Sequence, residues 1–374
     1  MTNQFFTTDN KSAIEAKGLA QWIAFGPMIF QASRVLRDTG ILKALEDSLP
    51  VGLTIADVVE KVTLSEYSVR VLLESGLSIG LVVIDENECY NITKTGYFIL
   101  HDNLTNVNMN FVHDVCYQGM FNLDKSIESG KPEGLSVFGA WDTIYEGLSE
   151  LPAHVQKSWF EFDHFFSDNA FNAVLKLVMK SKPKKLLDIG GNTGKWAIAC
   201  TKHSDEITVT IMDLPGQLNM AAKNIGAQHL THRVHFHPIN ILDETISFPK
   251  GHDTIWMSQF LDCFSEEQIV SILKRCHDAL DEDGQVFIME PFWDRQQYET
   301  AAFCLHQTSL YFTALANGNS QMYDSRIFIK CIEKAGFTVT EKVEKIGLSQ
   351  SLLRCHKAVT TNRSKKYHSK ALVN

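Results

Sequence analysis

The C-terminal half of the chain alternates short apolar strands with amphipathic helices, and this alternation constrains the fold more than any other feature. From Lys184 onward, strands are predicted at KKLLDIG, ITVTIMDLP, RVHFHPIN, DTIWMSQF and GQVFIMEPF, and two more, TVTEKVEKI and SLLRCHKA, close the pattern. Helical segments such as SEEQIVSILKRCHDAL lie between them. The pattern predicts a mainly parallel sheet covered by helices on both faces. Ligands of such sheets bind at the carboxyl ends of the strands.

The loop after the first of these strands, in LLDIGGNTGKWAIA, is rich in glycine. Gly190, Gly191 and Gly194 follow a strand that carries Asp188 near its end. Glycines let the backbone approach a ligand closely, and the helix that follows offers free N–H groups. The spacing fits neither the G-x-G-x-x-G dinucleotide motif nor the P-loop motif. The loop therefore predicts a nucleotide-like ligand and argues against a phosphate contact.

Polar residues at the ends of the next two strands narrow the ligand further. Asp213 ends the second strand, 23 residues after Gly190, where an acid accepts hydrogen bonds from both hydroxyls of a ribose. The third strand ends at Asn240 and Ile241, a polar and apolar pair suited to the edge and the face of an adenine. The loop and the two strand ends together predict a nucleoside site.

The first part of the chain is predicted to be mostly helical. Helices are expected to start at Thr54 and Ser65, and LVVIDENECYNIT is a predicted hairpin. Helix, helix and hairpin form a winged-helix layout, which could bind DNA or serve as a scaffold for dimerisation. The net charge is −9, and the second helix, SEYSVRVLLESGL, holds one arginine against two glutamates, so nucleic acid is disfavoured as a partner.

Composition limits the remaining classes of protein. A length of 374 residues favours two domains. Eight scattered cysteines form no C-x-x-C pair, and no signal peptide or apolar run of membrane-spanning length is evident, so a cytoplasmic protein without a membrane partner is expected. His235 and His237 share a strand face, but no carboxylate or cysteine stands at a fitting spacing, so no metal is expected.

Several of these segments resemble the S-adenosylmethionine-dependent O-methyltransferases of the plant caffeate and bacterial polyketide type. The resemblance is carried by LLDIGGNTGKWAIA, IMDLPGQL, RVHFHPINILD and FLDCFSEEQIVSILKRCHDALDEDGQVFIMEP, and also by ITKTG and SGKPEG nearer the start. It implies an α/β fold with a Rossmann-like methyltransferase sheet and an N-terminal, mostly helical winged-helix domain that forms a homodimer. The implied limits are 1–110 for the dimerisation domain, 111–180 for a helical connecting segment at the acceptor pocket, 181–360 for the catalytic domain and 361–374 for a tail.

The family pattern assigns S-adenosyl-L-methionine to the nucleoside site. It implies that the glycines surround the methionine part of the cofactor, that Asp213 binds the ribose, and that Leu214 and Ile241 pack beside the adenine. Asn240 stands where the family usually has an aspartate, and an amide carbonyl can still accept the adenine amine. The complete set implied to bind the cofactor is Asp188, Gly190, Gly191, Gly194, Asp213, Leu214, Asn240, Ile241, Ser258 and Gln259.

The sequence departs from the family where the catalytic histidine should stand. The family has a lysine, three residues and His-Asp-Trp after the fourth strand, whereas this chain has Ser258, Asp262, Cys263 and Phe264 at those positions. Glu290 matches one of the two family glutamates that orient the histidine. The other falls near Gln321, where no acid is present.

Three interpretations of the missing histidine stay open. Asp262 is itself the base, with a pKa raised by burial beside Glu290; alternatively His306 or His164 serves; or the methyl group goes to carbon or nitrogen, which needs less help from a base. Asp262 could instead be a helix cap near Ser265. The predicted function is methyl transfer to a small, hydroxylated and aromatic acceptor, with Asp262, Glu290 and His306 as catalytic candidates. The alternative is a winged-helix regulator that senses S-adenosylmethionine without catalysis.

Overall fold

The computed structural model describes residues 5–359 and divides them into two compact units. The helical unit consists of the chain up to Phe121 together with Glu150–Phe165, and the sheet unit consists of Asn122–Ser149 together with the chain from Phe166 onward. The predicted connecting segment 111–180 is therefore shared between the two units. The predicted tail, 361–374, lies outside the described residues.

The helical unit contains short helices and one hairpin. In chain order its elements are α1 (Ala13–Ala24), α2 (Gly26–Asp38), α3 (Ile41–Asp47), α4 (Ile55–Lys61), α5 (Glu66–Ser78), β1 (Val82–Ile84), β2 (Tyr90–Ile92), α6 (Lys94–His101), α7 (Asn103–Phe111) and a π-helical turn at Val112–Cys116.

Local sequence signals account for the winged-helix layout of α4, α5 and the β1–β2 hairpin. Thr54 caps α4, and Asp57 returns a hydrogen bond to the Thr54 backbone, so the predicted capping box is confirmed. Ser65 caps α5 as expected. Val82 pairs with Ile92 in the antiparallel hairpin. Buried residues of α2, α3, α5 and the hairpin form one apolar core, which includes Leu36, Leu42, Leu73 and Val82.

The sheet unit contains the remaining elements. They are α8 (Leu123–Ser129), α9 (Ile144–Gly147), β3 (Lys185–Ile189), α11 (Lys195–His203), β4 (Thr208–Asp213), α12 (Pro215–Ala227), β5 (Val234–Pro238), β6 (His252–Ser258), α13 (Glu266–Ala279), β7 (Leu280–Pro291), α14 (Glu299–Tyr311), α15 (Ser325–Lys334), β8 (Phe337–Ile346) and β9 (Gln350–Lys357); helix α10 (Ala153–Met179) belongs partly to each unit.

The predicted parallel sheet is confirmed, with an antiparallel edge. The strand order is β5-β4-β3-β6-β7-β9-β8, in which β3 to β7 pair in parallel and β9 pairs antiparallel with both β7 and β8. Strand order reverses between β3 and β6, because successive strands after β3 first extend the sheet on one side and then on the other. A crevice forms at such a switch point, beyond the carboxyl ends of the strands.

Helices cover both faces of the sheet. One face packs on residues of α10, α11 and α12, including Val174, Trp196 and Ile225. The other packs on α13 and α15, including Leu273 and Phe328. The helix α13 has the predicted cap at Ser265 with Gln268 completing the box, but it ends at Ala279 rather than at the predicted Leu280, which starts strand β7.

Candidate active site

Packing at the end of β3 explains why three positions of the loop are glycine. Gly190 and Gly194 have φ angles of +72° and +78°, a region that residues with a side chain rarely adopt. A Cβ on Gly190 would lie 2.2 Å from the Phe260 ring, and one on Gly191 would lie 2.7 Å from Asp188 Oδ2. The loop is therefore wrapped tightly between the ends of β3, β4 and β6, and a larger residue would displace it.

Asp213, at the end of β4, ties this loop in place. One carboxylate oxygen accepts the Asn192 N–H at 2.8 Å, and the other accepts the Leu214 N–H at 2.7 Å. A carboxylate offers about four lone-pair sites, so two remain for the hydroxyls of a ribose. Burial raises the pKa of Asp213 to about 6, although the two backbone N–H groups oppose that rise.

Asp188 lies deeper, inside β3. It is 1% exposed, and its Oδ2 has no hydrogen-bond partner among residues 5–359. Burial and the neighbouring Asp213 raise the pKa of Asp188 to about 8. Near neutral pH Asp188 is therefore mostly protonated and Asp213 is mostly ionised, and a cationic ligand would favour the ionised form of both.

The end of β6 presents two further polar side chains to the same crevice edge. The Ser258 hydroxyl and the Gln259 Oε1 are buried and lack a partner within the described part of the chain. Gln259 also has a φ of +46°, which is uncommon for a residue with a side chain. Buried polar atoms without partners are costly, so their clustering with Asp188 at the switch point marks a site built for a polar ligand.

The third strand end differs in detail from the prediction. Asn240 is exposed and its Oδ1 accepts the Leu242 N–H at 3.0 Å, so only its second lone pair is left for an adenine amine. Ile241 is only 9% exposed and packs into the core of the sheet unit, whereas Leu242 is 40% exposed. Leu242 is therefore the residue with more apolar surface free to cover a ring, and Leu214 is half-buried at the start of α12.

Asp262 and Glu290 meet beyond the ends of β6 and β7. Asp262 is 4% exposed in a short 3-10 helix, and Glu290 is 1% exposed. Glu290 Oε1 accepts the N–H groups of Phe260 and Leu261 at 3.1 and 2.9 Å, which fixes the 3-10 helix against the sheet. The suggested capping role for Asp262 is wrong, because the Ser265 side chain caps α13.

Burial raises the pKa of both members of this acid pair. The pKa of Asp262 rises to about 6, and that of Glu290 rises well above its ordinary value because Asp262 adds repulsion to desolvation. Two close carboxyl groups cannot both ionise cheaply, so they share a proton near neutral pH. Such a pair can take up a proton from a weak acid, as a general base does.

Each histidine candidate packs against an aromatic ring of its own unit. His306 is half-buried on α14, and its ring lies 4.8 Å from that of Trp293. His164 belongs to the helical unit and stacks on Phe160. Gln321 is exposed. Of the predicted catalytic residues, Asp262 and Glu290 lie in contact with each other.

Two residues next to the acid pair, Cys263 and Tyr145, were not predicted from the sequence to belong to the site. The Cys263 thiol donates to Asp262 Oδ1 at 3.4 Å, and the Tyr145 hydroxyl lies beside that thiol. Cys263 was noted only as a replacement for the family aspartate, and Tyr145 lies more than a hundred residues away in the aromatic segment FGAWDTIYEGL. Within residues 5–359 no group of three or more histidine, cysteine or acidic residues is arranged to hold a metal ion.

Two family models match the chain. A Dimerisation2-like domain matches residues 17–90, and an O-methyltransferase domain matches residues 136–338, more than half of the sequence. The first match falls in the helical unit, and the second includes the glycine loop and both acid pairs.

Individual relatives cover nearly the whole chain. An L-tyrosine C(3)-methyltransferase of Streptomyces lavendulae is 24% identical over 330 residues, which are 87% of this chain and 88% of the relative. The apo structure of the S-adenosylmethionine-dependent methyltransferase SibL has a TM-score of 0.69 at 23% identity and covers 91% of this chain and 99% of its own. The O-methyltransferase NcsB1, in complex with S-adenosylmethionine and 2-hydroxy-5-methyl naphthoic acid, has a TM-score of 0.65 at 18% identity, over 89% of this chain and 96% of its own.

Proposed function

The chain belongs to the O-methyltransferase domain family, and we propose that it transfers the methyl group of S-adenosylmethionine to a small, hydroxylated aromatic acceptor. Membership makes it an S-adenosylmethionine-dependent methyltransferase. The observation that carries the assignment of the site is the loop at the end of β3, whose glycines fit against Phe260, Asp188 and Ile211 while Asp213 holds its backbone.

The residues at the switch point fit this cofactor. Asp213 has two lone-pair sites left for the ribose hydroxyls, and Leu214 and Leu242 offer apolar surface for the adenine. The unpartnered oxygens of Asp188, Ser258 and Gln259 suit the polar and charged methionine part. The bound cofactor supplies an electrophilic methyl group on a positively charged sulfur.

Asp262 is proposed as the group that accepts the acceptor's proton. Its raised pKa of about 6 is closer to that of a phenol than an exposed aspartate would be, which improves proton transfer. Glu290 keeps the one proton that the pair holds near neutral pH, which leaves Asp262 free to accept another, and it positions the 3-10 helix. A phenolate activates both its own oxygen and the neighbouring ring carbon, so the arrangement supports methylation of oxygen or of carbon. Relatives of both kinds, on tyrosine C(3) and on naphthoate oxygen, occur in the family.

Calorimetry and product analysis test the proposal. S-adenosylhomocysteine is expected to bind, and absence of heat at millimolar ligand would overturn the assignment of the cofactor. Labelled methyl transfer to tyrosine and to hydroxynaphthoates, followed by NMR of the product, identifies the methylated atom. Turnover of aliphatic hydroxy acids but not of phenols would contradict the aromatic acceptor.

We also propose that the protein is a cytoplasmic homodimer assembled through its helical unit. Helix α1 buries none of its residues, and Ile14, Trp22 and Ile23 on it are 76, 48 and 71% exposed. Met28, at the start of α2, is 68% exposed. An apolar surface of this kind is normally covered by a partner, and the match to a Dimerisation2-like domain supports a second copy as that partner. All eight cysteines are free, as expected in a reducing compartment. Within the described residues no helix is long and apolar enough to span a bilayer. In light scattering, the wild type is expected to be a dimer and the double variant Trp22→Asp/Ile23→Asp is expected to be a monomer.

A further inference from the structure

Cys263 and Tyr145 form a side-chain cluster next to Asp262 that the proposed reaction does not yet use. The Cys263 Sγ lies 3.4 Å from Asp262 Oδ1, in a geometry in which the thiol donates. The Tyr145 hydroxyl also lies beside the thiol, and its oxygen is buried without a well-aligned hydrogen bond to any residue of 5–359. Tyr145 and Cys263 therefore both lie next to Asp262, one member of the acid pair.

The backbone around Tyr145 is built to hold this position. The Trp141 ring packs so closely on Gly139 and Gly147 that a Cβ on either glycine would lie within 2.5 Å of it. Ile144, next to Tyr145, is completely buried. The short helix α9 is thus anchored on both sides of Tyr145, which limits where its phenol can point.

The backbone of Cys263 is anchored as well. The Asn317 side-chain amide donates to the Cys263 carbonyl, and the Tyr323 hydroxyl donates to the carbonyl of Phe264. Asn317 itself follows a π-helical turn, Phe312–Ala316, and accepts from the backbone N–H groups of Asn319 and Ser320. These contacts fix the direction of the thiol because they fix the residue that carries it.

The chemistry of the cluster makes the thiol a donor. Burial and the nearby carboxylates raise the pKa of Cys263 well above its ordinary value, so the sulfur keeps its proton at neutral pH. Burial keeps the Tyr145 phenol protonated in the same way. The thiol proton therefore points to Asp262 Oδ1, while the sulfur can accept the phenol proton.

The two carboxyl groups of the pair compete for one negative charge. Two backbone N–H groups act on Glu290 Oε1 and would draw the charge to Glu290. A donor on Asp262 opposes them, because a hydrogen bond to a charged group is stronger than one to a neutral group. Cys263 supplies such a donor to Asp262, which must carry the negative charge in order to act as a base.

We propose that Cys263 is a positioning residue whose thiol selects Asp262 rather than Glu290 as the ionised member of the pair, and that Tyr145 holds the thiol in this orientation. The inference rests on the proposed function, because an ionised Asp262 matters for catalysis only if it accepts the proton of the acceptor. The charge distribution itself exists without cofactor or acceptor and can be measured in their absence.

The test is an NMR titration of ligand-free protein labelled with carboxyl-13C aspartate. The Asp262 signal is assigned by its loss in Asp262→Asn. Cys263→Ala is expected to raise the Asp262 titration midpoint and to increase its proton affinity about threefold to tenfold, the size of one weak hydrogen bond to a charged group. Cys263→Ser, which keeps a donor, is expected to restore most of the wild-type midpoint. Cys276→Ala, another fully buried cysteine of the sheet unit, serves as the matched control.

Tyr145→Phe supplies an independent variant should Cys263→Ala fold poorly. It is expected to raise the Asp262 midpoint in the same direction by a smaller amount, because the thiol loses its orienting partner. An unchanged Asp262 midpoint in folded Cys263→Ala, or in Tyr145→Phe where Cys263→Ala does not fold, would overturn the proposal. So would a midpoint in Cys263→Ser that rises as far as the midpoint in Cys263→Ala. The titration is independent of methyl transfer, so an enzyme inactive on phenols with a shifted midpoint would disprove the acceptor class and leave this inference standing.

The pH profile of turnover gives the kinetic counterpart. The acidic limb reports ionisation of the base, so Cys263→Ala is expected to move that limb to higher pH with little change in KM. A uniform fall in kcat at every pH, with the limb in place, would mean that Cys263 is merely structural.

Discussion

The proposed cofactor end of the site is formed by the loop at 189–194 with Asp188 and Asp213, and the proposed acceptor end is formed by Asp262 and Glu290. Each end holds two buried carboxyl groups. At the cofactor end Asp213 is bound by the backbone of the loop that it orders, and the loop needs glycine at three positions. At the acceptor end Glu290 is bound by the backbone of a 3-10 helix, and side chains from distant segments complete the cluster. The first pair is thus a property of a local motif, and the second is a property of the tertiary fold.

The largest effect is expected at the acceptor end. Asp262→Asn removes the proposed base, and loss of a general base typically lowers turnover by about 100-fold to 10,000-fold. Binding of S-adenosylhomocysteine should stay close to wild type, and stability at pH 8 should not fall, because the variant relieves repulsion with Glu290. Methyl-transfer assays, calorimetry and thermal melts check the three readouts. Full turnover in Asp262→Asn would remove Asp262 from the mechanism.

The next effect is expected at the cofactor end. Gly190→Ala places a side chain at a φ of +72° and against the Phe260 ring, so the loop must move. Strain of this kind costs about 1–3 kcal/mol, which corresponds to a loss of cofactor affinity of about 5-fold to 160-fold, and the clash adds to that loss. Calorimetry with S-adenosylhomocysteine measures it. Gly216→Ala, where a Cβ meets nothing within 4 Å, is the control and should bind as wild type does.

The pH dependence of cofactor binding is a further property that distinguishes the cofactor end from the acceptor end. The raised pKa of Asp188, about 8, means that the ligand-free protein keeps this proton at neutral pH. If the cationic cofactor favours the ionised form, binding releases a proton, and the dissociation constant should fall up to about tenfold per pH unit between pH 7 and 8 and level off above. Asp188→Asn should abolish the slope. Tighter binding at lower pH would show that Asp188 binds the cofactor as a neutral donor.

The smallest effect concerns the cap beside the acid pair. Ser265→Ala removes the side-chain acceptor of the α13 capping box and should cost about 1 kcal/mol of unfolding free energy. It should leave the pH profile of turnover unchanged, because the cap does not contact Asp262. Urea unfolding measures the loss of unfolding free energy, and kinetics at several pH values measure the pH profile of turnover. A shifted profile would mean that the cap and the acid pair are coupled.

The contrast between a local motif and tertiary packing also explains which parts of the structure could be predicted from the sequence. The loop glycines, Asp213, the Ser265 cap and the alternation of strands follow local rules, so the sheet, the cap and the position of the glycine loop were predictable. The approach of Tyr145 to Cys263 was not, because it depends on how α9 packs more than a hundred residues before the 3-10 helix. The strand β5 ends at Pro238 rather than at the predicted Asn240 and Ile241, and which of Ile241 and Leu242 faces inward is decided by the core.

Both outer strands of the sheet are poorly suited to recruiting a strand from another molecule. The edge strand β8 carries Glu341, Lys342, Glu344 and Lys345 along its exposed length, and the opposite edge strand, β5, is short and ends in Pro238. Charged side chains and proline at sheet edges oppose edge-to-edge pairing. A concentrated solution of the folded protein is therefore protected against aggregation through its sheet, and self-association is left to surfaces elsewhere on the chain.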